Sequence, residues 1–96
     1  MKTRSEIEAV LKQLKPSLAE KFKVKEIGIF GSYVRDEGSG RSDVDILVEF
    51  SESIGWEFID LKELLSEVLD IEVDLVTVGA LKPQLKDKIL KEVAYV

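Results

Sequence analysis

The chain has 96 residues, of which 45% are hydrophobic, and it carries a formal net charge of −5. This length predicts one domain, residues 1–96, with a small core. The chain contains neither histidine nor cysteine, which excludes disulfides, ordinary zinc sites and catalysis by imidazole or thiol. The negative charge argues against broad binding of nucleic acid. No apolar run of 18 residues and no signal region occurs, so we expect a cytoplasmic protein without a membrane span.

The polar composition points to a heat-adapted source. Asparagine is absent and Gln13 and Gln84 are the two glutamines, whereas 34% of the residues are charged. Depletion of heat-labile amides together with abundant Glu and Lys is a trend of thermophile proteins. We therefore expect a melting midpoint above the ordinary mesophile range.

Hydrophobic periodicity divides the chain into alternating helices and strands. Apolar residues at helical spacing predict a first helix over Ser5–Phe22, which Pro16 would kink or divide in two. Its N-terminus has two candidate caps, Ser5 and a capping box of Thr3 with Glu6. The other predicted elements are a strand over Val24–Phe30, a short helical turn over Tyr33–Glu37, a strand over Val44–Phe50, a helix over Trp56–Leu69, a strand over Ile71–Val78 and a helix over Gln84–Val93.

This order, α-β-α-β-α-β-α, predicts an α/β (α+β) fold in which helices pack on a small sheet. The C-terminal segment Ile89–Val96 is unusually apolar for the end of a chain. Chain ends usually fray, so we expect this segment to dock on the core, with an interface as the alternative.

Glycine and serine, Gly31 and Ser32, end the first predicted strand. Glycine permits a tight turn and a close approach to the backbone, and free N–H groups at the start of a helix suit a phosphate. Taken alone, the pair indicates no more than a turn from a strand into a helix. Arg35 and Arg41 follow it, and a guanidinium suits phosphate recognition, although either could form a surface salt bridge instead.

Acidic residues mark the second and third predicted strands. Asp43 and Asp45 alternate at the start of the second strand, so their side chains are expected on one face, where a cation would relieve their repulsion. Asp74 lies inside the third strand, where a charge is unusual unless it is paired or binds a metal. Glu72 shares its face and is the rival third ligand. The alternative is a solvated strand edge or, for Asp43, the cap of a turn.

The joint pattern Gly-Ser-x-x-Arg, then Ser-Asp-x-Asp, then an acidic residue in a third strand resembles the nucleotidyltransferase superfamily that includes DNA polymerase beta. The form is most similar to the minimal nucleotidyltransferases (MNT proteins), many of which are MntA-type antitoxins paired with HEPN-domain toxins. The resemblance spans nearly the whole chain and implies a small mixed sheet. Where members often have Ala-Arg-Gly, this chain has Val34-Arg35-Asp36, and Asp36 adds a negative charge near the expected triphosphate site.

The resemblance implies transfer of AMP from ATP to a hydroxyl acceptor, with release of pyrophosphate. Asp43, Asp45 and Asp74 would be the catalytic and metal-binding residues, holding two Mg²⁺ ions, with Mn²⁺ as an alternative. The residues implied in nucleotide binding are Gly31, Ser32, Arg35 and Arg41.

The acceptor is not specified by the motif. Little chain follows the third strand, so we expect the acceptor site to come from a protein partner or from a homodimer. The resemblance implies a tyrosine of a HEPN toxin and thus an antitoxin role. Two alternatives stay open: a non-catalytic antitoxin that neutralises its partner by contact, and an enzyme that modifies a small hydroxylated molecule such as an aminoglycoside.

Overall fold

A computed structural model describes residues 3–33 and 43–96 of the chain. The elements are α1 (Arg4–Phe22), β1 (Val24–Phe30), β2 (Asp43–Phe50), α2 (Glu57–Leu69), β3 (Glu72–Thr77), α3 (Pro83–Glu92) and β4 (Ala94–Tyr95), with short 3₁₀ turns at Gly31–Tyr33 and Val78–Ala80. The strands form a mixed sheet in the order β3-β2-β1-β4. Strand β1 is antiparallel to β2 and β4, and β2 is parallel to β3. The predicted α/β class and mixed sheet are confirmed.

Helix α1 begins with the capping box of Thr3 and Glu6 rather than with a cap at Ser5. The Glu6 N–H donates to Thr3 Oγ1 at 3.3 Å, and the Thr3 N–H donates to Glu6 Oε1 at 2.9 Å. The helix then runs unbroken through Pro16 to Phe22, so the prediction of a second short helix at Pro16 is wrong. Proline removes one helical hydrogen bond, but buried Leu11 and Leu18 anchor the helix to the core on both sides of it.

The core lies on one face of the sheet, under α1 and α2. Alternate residues of a strand point to the same face, and on this face the side chains of β1, β2 and β3 are buried against the two helices. The cluster contains Ile7, Leu11, Leu18, Val24, Ile27, Ile29, Tyr33, Val44, Ile46, Val48, Leu61, Leu65, Leu69, Val73 and Leu75. Across residues 3–33 and 43–96, none of the helices has the length and apolar character to cross a membrane.

The C-terminal segment docks on the core side of the molecule by adding β4 to the sheet, which confirms the expected docking. Val96 packs against the core, and its N–H donates to the carbonyl of Ile27 at 3.0 Å. The strand itself was not predicted. It requires a glycine at position 28, because a Cβ there would lie 2.7 Å from the carbonyl oxygen of Ala94.

Tyr95 on β4 gives the fold a pH dependence. The pKa of the Tyr95 hydroxyl is raised above its ordinary value of 10.0. The main cause is partial burial, and the nearby carboxylates of Glu49 and Glu26 contribute less. Because the folded pKa lies above the unfolded one, this contribution is fully present below pH 10 and is lost as the pH rises through the folded pKa. We expect Tyr95→Phe to lose less stability than the parent chain above pH 10. Urea unfolding of both chains at pH 8 and pH 11 measures the difference, and equal losses would contradict the assignment.

Candidate active site

The turn after β1 brings its glycine against the start of β2. Gly31 has a φ of +77°, a left-handed conformation that glycine adopts without strain. A Cβ at this position would overlap the Asp45 carboxylate, with Oδ2 as the first atom met. Gly31 therefore lets the Asp45 carboxylate lie against the backbone just after β1. A residue with a side chain at this position would prevent that approach.

Carboxylates occupy the sheet face opposite the core. Asp45 pairs with Phe30 of β1 on one side and with Asp74 of β3 on the other, and Asp43 pairs with Glu72. In-register residues of neighbouring strands share a face, so these four acids lie on one surface. Asp45 is half-buried, whereas Asp43, Glu72 and Asp74 are exposed. The register thus places Asp74, rather than its rival Glu72, directly beside Asp45.

The side chains of this acidic face (Asp43, Asp45, Glu72 and Asp74) are of the type that binds a hard cation. All of its donors are carboxylate oxygens, which Mg²⁺ and Mn²⁺ prefer, and laterally paired like charges are unfavourable without a counter-ion. Within the described residues, no three acidic side chains are gathered into a group ready to hold a metal ion. The carboxylates are thus neighbours by strand register, and their convergence on one cation would take changes of side-chain torsion.

A further carboxylate, which sequence analysis missed, contacts the glycine turn. The Gly31 N–H donates a hydrogen bond of 3.0 Å to Oε1 of Glu92, and the pair is partly buried. Glu92 is the last residue of α3, just before β4. No local pattern marks this residue, because its role comes from the docking of the C-terminal segment beside β1.

The structure brings part of the predicted site together. Asp45 and Asp74 lie side by side on β2 and β3, and Gly31 in the turn after β1 lies against Asp45. Asp43 shares the face of the two aspartates. Ser32 lies in the 3₁₀ turn that Gly31 begins. The predictions for Arg35, Asp36 and Arg41, and most of the short helical turn predicted over Tyr33–Glu37, lie outside the described residues.

A cavity of about 610 Å³ lies elsewhere on the molecule. Its lining includes Val48 and Phe50 at the far end of β2 and Thr77 at the end of β3. A strand rises about 3.3 Å per residue, which places Phe50 roughly 16 Å from Asp45. The cavity is therefore separate from the acidic face.

The comparison with protein families decides the class of the protein. A family model described as the nucleotidyltransferase domain matches residues 11–96, which include the glycine turn and all the carboxylates above. The chain belongs to the nucleotidyltransferase domain family. The protein is thus a nucleotidyltransferase, and the glycine turn and the two aspartates of β2 are its candidate active site.

Individual relatives narrow the class within the family. The chain is 48% identical over 97 residues to the protein adenylyltransferase MntA of Thermococcus cleftensis, covering 100% of this chain and 98% of the relative. A solved structure described as a minimal nucleotidyltransferase is 30% identical, with a TM-score of 0.74, covering 92% of this chain and 93% of the other. The fold is also shared by a chain from the complex of a tri-AMPylated Shewanella oneidensis HEPN toxin with an MNT antitoxin. That chain is 23% identical, with a TM-score of 0.68 and coverage of 97% and 71%. The chain is thus similar to MntA-type minimal nucleotidyltransferases over its whole length.

Tyr33, the last residue of the 3₁₀ turn that Gly31 begins, has an unsatisfied polar atom. Its side chain is 6% exposed and belongs to the core cluster. In the part of the chain that the structure describes, its hydroxyl is buried and has no hydrogen-bond partner. Burying a hydroxyl without a partner lowers the free energy of unfolding by about 1–3 kcal/mol.

We expect Tyr33→Phe to keep the fold and to raise the free energy of unfolding by about 1 kcal/mol, because it removes the unsatisfied group and keeps the ring. Urea unfolding monitored by circular dichroism measures this change. Tyr95→Phe is the matched control, since that ring is 46% exposed and its loss of a hydroxyl should be nearly neutral at pH 7. A Tyr33→Phe chain that is clearly less stable than its parent would show that the hydroxyl has a stabilising partner.

Proposed function

We propose that the protein transfers AMP from ATP to a hydroxyl group of a protein partner and releases pyrophosphate. The observation that carries this proposal is the position of Asp45, which lies against the Gly31 turn after β1 and pairs with Asp74 of β3, so that a glycine turn faces a carboxylate surface. The similarity to a relative named as a protein adenylyltransferase supports AMP as the group transferred.

The glycine turn is the phosphate-binding part of this proposal. Gly31 and Ser32 begin a 3₁₀ turn whose backbone N–H groups suit the terminal phosphates of ATP. A side chain at position 31 would obstruct a close approach to the backbone, and glycine has none. Arg35, and with a less defined role Arg41, would neutralise part of the phosphate charge.

The acidic face is the metal-binding part. Asp43, Asp45 and Asp74 would hold two Mg²⁺ ions, with Mn²⁺ as the alternative. When bound, these cations offset the charge that develops on the attacking and leaving oxygens. An Asp pair with an oxygen-only donor set is consistent with this use in a chain that has no histidine or cysteine.

At the α-phosphorus, the transfer forms one bond and breaks one, and one proton changes place. The acceptor oxygen bonds to the α-phosphorus, the bond from that phosphorus to the bridging oxygen of the β-phosphate breaks, and pyrophosphate leaves. The hydroxyl proton passes to the Asp74 carboxylate. Asp74 suits this role because it is exposed and lies on β3, an edge strand of the sheet, where an acceptor as large as a protein can approach.

The acceptor that we propose is a tyrosine hydroxyl of a HEPN-domain partner, which gives the protein an antitoxin role. The AMPylated HEPN toxin found with an MNT antitoxin in Shewanella oneidensis supports this choice. A tyrosine hydroxyl is a neutral nucleophile at pH 7 (pKa about 10), so a carboxylate that takes its proton is needed.

Labelled ATP tests the reaction class. The protein is incubated with a HEPN-domain protein from the same genome, Mg²⁺ and ATP labelled either on the α- or on the γ-phosphorus. AMP transfer predicts label on the partner from α-labelled ATP alone, with labelled pyrophosphate released from γ-labelled ATP. Label from γ-labelled ATP on the partner would show a kinase and refute the proposal. A stable complex without label would favour neutralisation by contact, and label on an aminoglycoside alone would favour the small-molecule enzyme.

A further inference from the structure

The amide that the proposed function assigns to a phosphate is already in use within the chain. The Gly31 N–H donates to Glu92 Oε1 at 3.0 Å, across 61 positions of sequence. A carboxylate and a phosphate oxygen are both anionic acceptors for a backbone N–H, and such charge-assisted bonds are stronger than neutral ones. Glu92 therefore makes at Gly31 the type of contact that a nucleotide phosphate would make.

Glu92 and a phosphate exclude one another at this position. The Gly31 amide has one proton, and a carboxylate beside it repels a second anion. The pair is partly buried, so screening by water is weaker than at an open surface. A nucleotide that uses this amide thus has to displace the carboxylate.

The elements on either side of Glu92 keep its carboxylate near the turn. Helix α3 ends at Glu92, and the N–H of the next residue, Val93, donates to the carbonyl of Ile89 at 2.9 Å. Strand β4 then pairs with Gly28 and Ile29 of β1, and Ile29 is two residues before Gly31. The carbonyl of Val96 also accepts a hydrogen bond of 2.7 Å from Nζ of Lys15. These attachments within the chain set Glu92 beside β1.

We propose that Glu92 is an internal anion that occupies the phosphate position of Gly31 in the nucleotide-free protein and has to leave when ATP binds. This inference rests on the proposed function in one respect, the assignment of the Gly31 amide to a phosphate of ATP. It adds that the C-terminal segment lowers the affinity for ATP and so sets the concentration at which the site fills.

Isothermal titration calorimetry with ATP and Mg²⁺ tests this role of Glu92. Glu92→Ala removes the carboxylate, and Glu92→Gln keeps an acceptor oxygen without its charge. Asp87→Ala is the matched control, because it removes an exposed carboxylate from the same helix. We expect Glu92→Ala to bind ATP about tenfold more tightly than the parent chain, in line with the free energy of a charged hydrogen bond. Glu92→Gln should be intermediate, and Asp87→Ala unchanged.

The outcomes separate the inference from the proposed function. ATP binding by the parent chain with equal or weaker binding by both Glu92 variants would overturn the inference and leave the proposed function standing. Absence of ATP binding in the parent chain and in every variant would overturn both. The amide resonance of Gly31 in a ¹⁵N–¹H spectrum adds a readout that needs no ATP. It should shift in both Glu92 variants and stay in place in Asp87→Ala, and an unmoved resonance would contradict the contact.

Discussion

The double replacement Asp43→Asn, Asp45→Asn is expected to abolish AMP transfer and to leave the fold intact. Both carboxylates lie at the start of β2 on the face away from the core. Asparagine has nearly the same shape, but it lacks the negative charge that would hold divalent cations. Loss of that electrostatic stabilisation should lower the rate by about a thousandfold or more. The rate of label transfer from α-labelled ATP measures the effect, and circular dichroism measures the fold.

Glu49→Gln is the matched control for this pair. Glu49 lies on β2 and shares the face of Asp43 and Asp45, and it is half-buried like Asp45. Its replacement removes a carboxylate from the same strand at a distance from the glycine turn, so transfer should continue at nearly the parent rate. Transfer by the double variant at a rate close to that of Glu49→Gln would contradict the role of the two aspartates.

Gly31→Ala is expected to damage both stability and nucleotide binding. Alanine would take a strained positive φ, and its Cβ would meet the Asp45 carboxylate. Either the turn or Asp45 has to move, which should lower the free energy of unfolding by about 2–3 kcal/mol. Urea unfolding measures the stability, and calorimetry with ATP measures the binding.

The control for this change is Gly79→Ala. Gly79 lies in the 3₁₀ turn after β3, and a Cβ there would meet no atom within 4 Å. Alanine at this position should shift the free energy of unfolding by no more than about 0.5 kcal/mol. Equal stability and equal ATP affinity of the two alanine variants would show that the contact between Gly31 and Asp45 does not constrain the site.

Hydrophobic patterns predicted those helices and strands that are long enough to show a helical or alternating period. The first helix and the first three strands were predicted to within one residue at each end, because their burial repeats along the chain. Strand β4 has two residues, too few for any pattern, and it exists because Gly28 admits the backbone of Ala94 and Tyr95. Pro16 is the opposite case, since a strong local signal was overridden by the packing of residues on both sides.

Some features of the candidate site could likewise be predicted from local patterns, and others could not. The alternation of Asp43 and Asp45 follows from strand geometry and could be predicted. Strand geometry alone could not choose between Asp74 and Glu72, because both lie on one face of β3 and the pairing register with β2 decides which of them neighbours Asp45. The family resemblance implied Asp74, and the register sets that residue beside Asp45. The contact between Gly31 and Glu92 joins residues that are 61 positions apart in the sequence. It could not be predicted because it depends on how the C-terminal segment docks beside β1.

Intact-mass spectrometry of a HEPN-domain protein from the same genome tests the central claim most directly. The protein is incubated with that partner, ATP and Mg²⁺, with the Asp43→Asn, Asp45→Asn chain in parallel. AMP transfer predicts that the partner gains the mass of one or more AMP units, with no gain in the parallel sample. A partner of unchanged mass, bound in a stable complex with the parent chain, would contradict the account and identify the protein as an antitoxin that acts by contact.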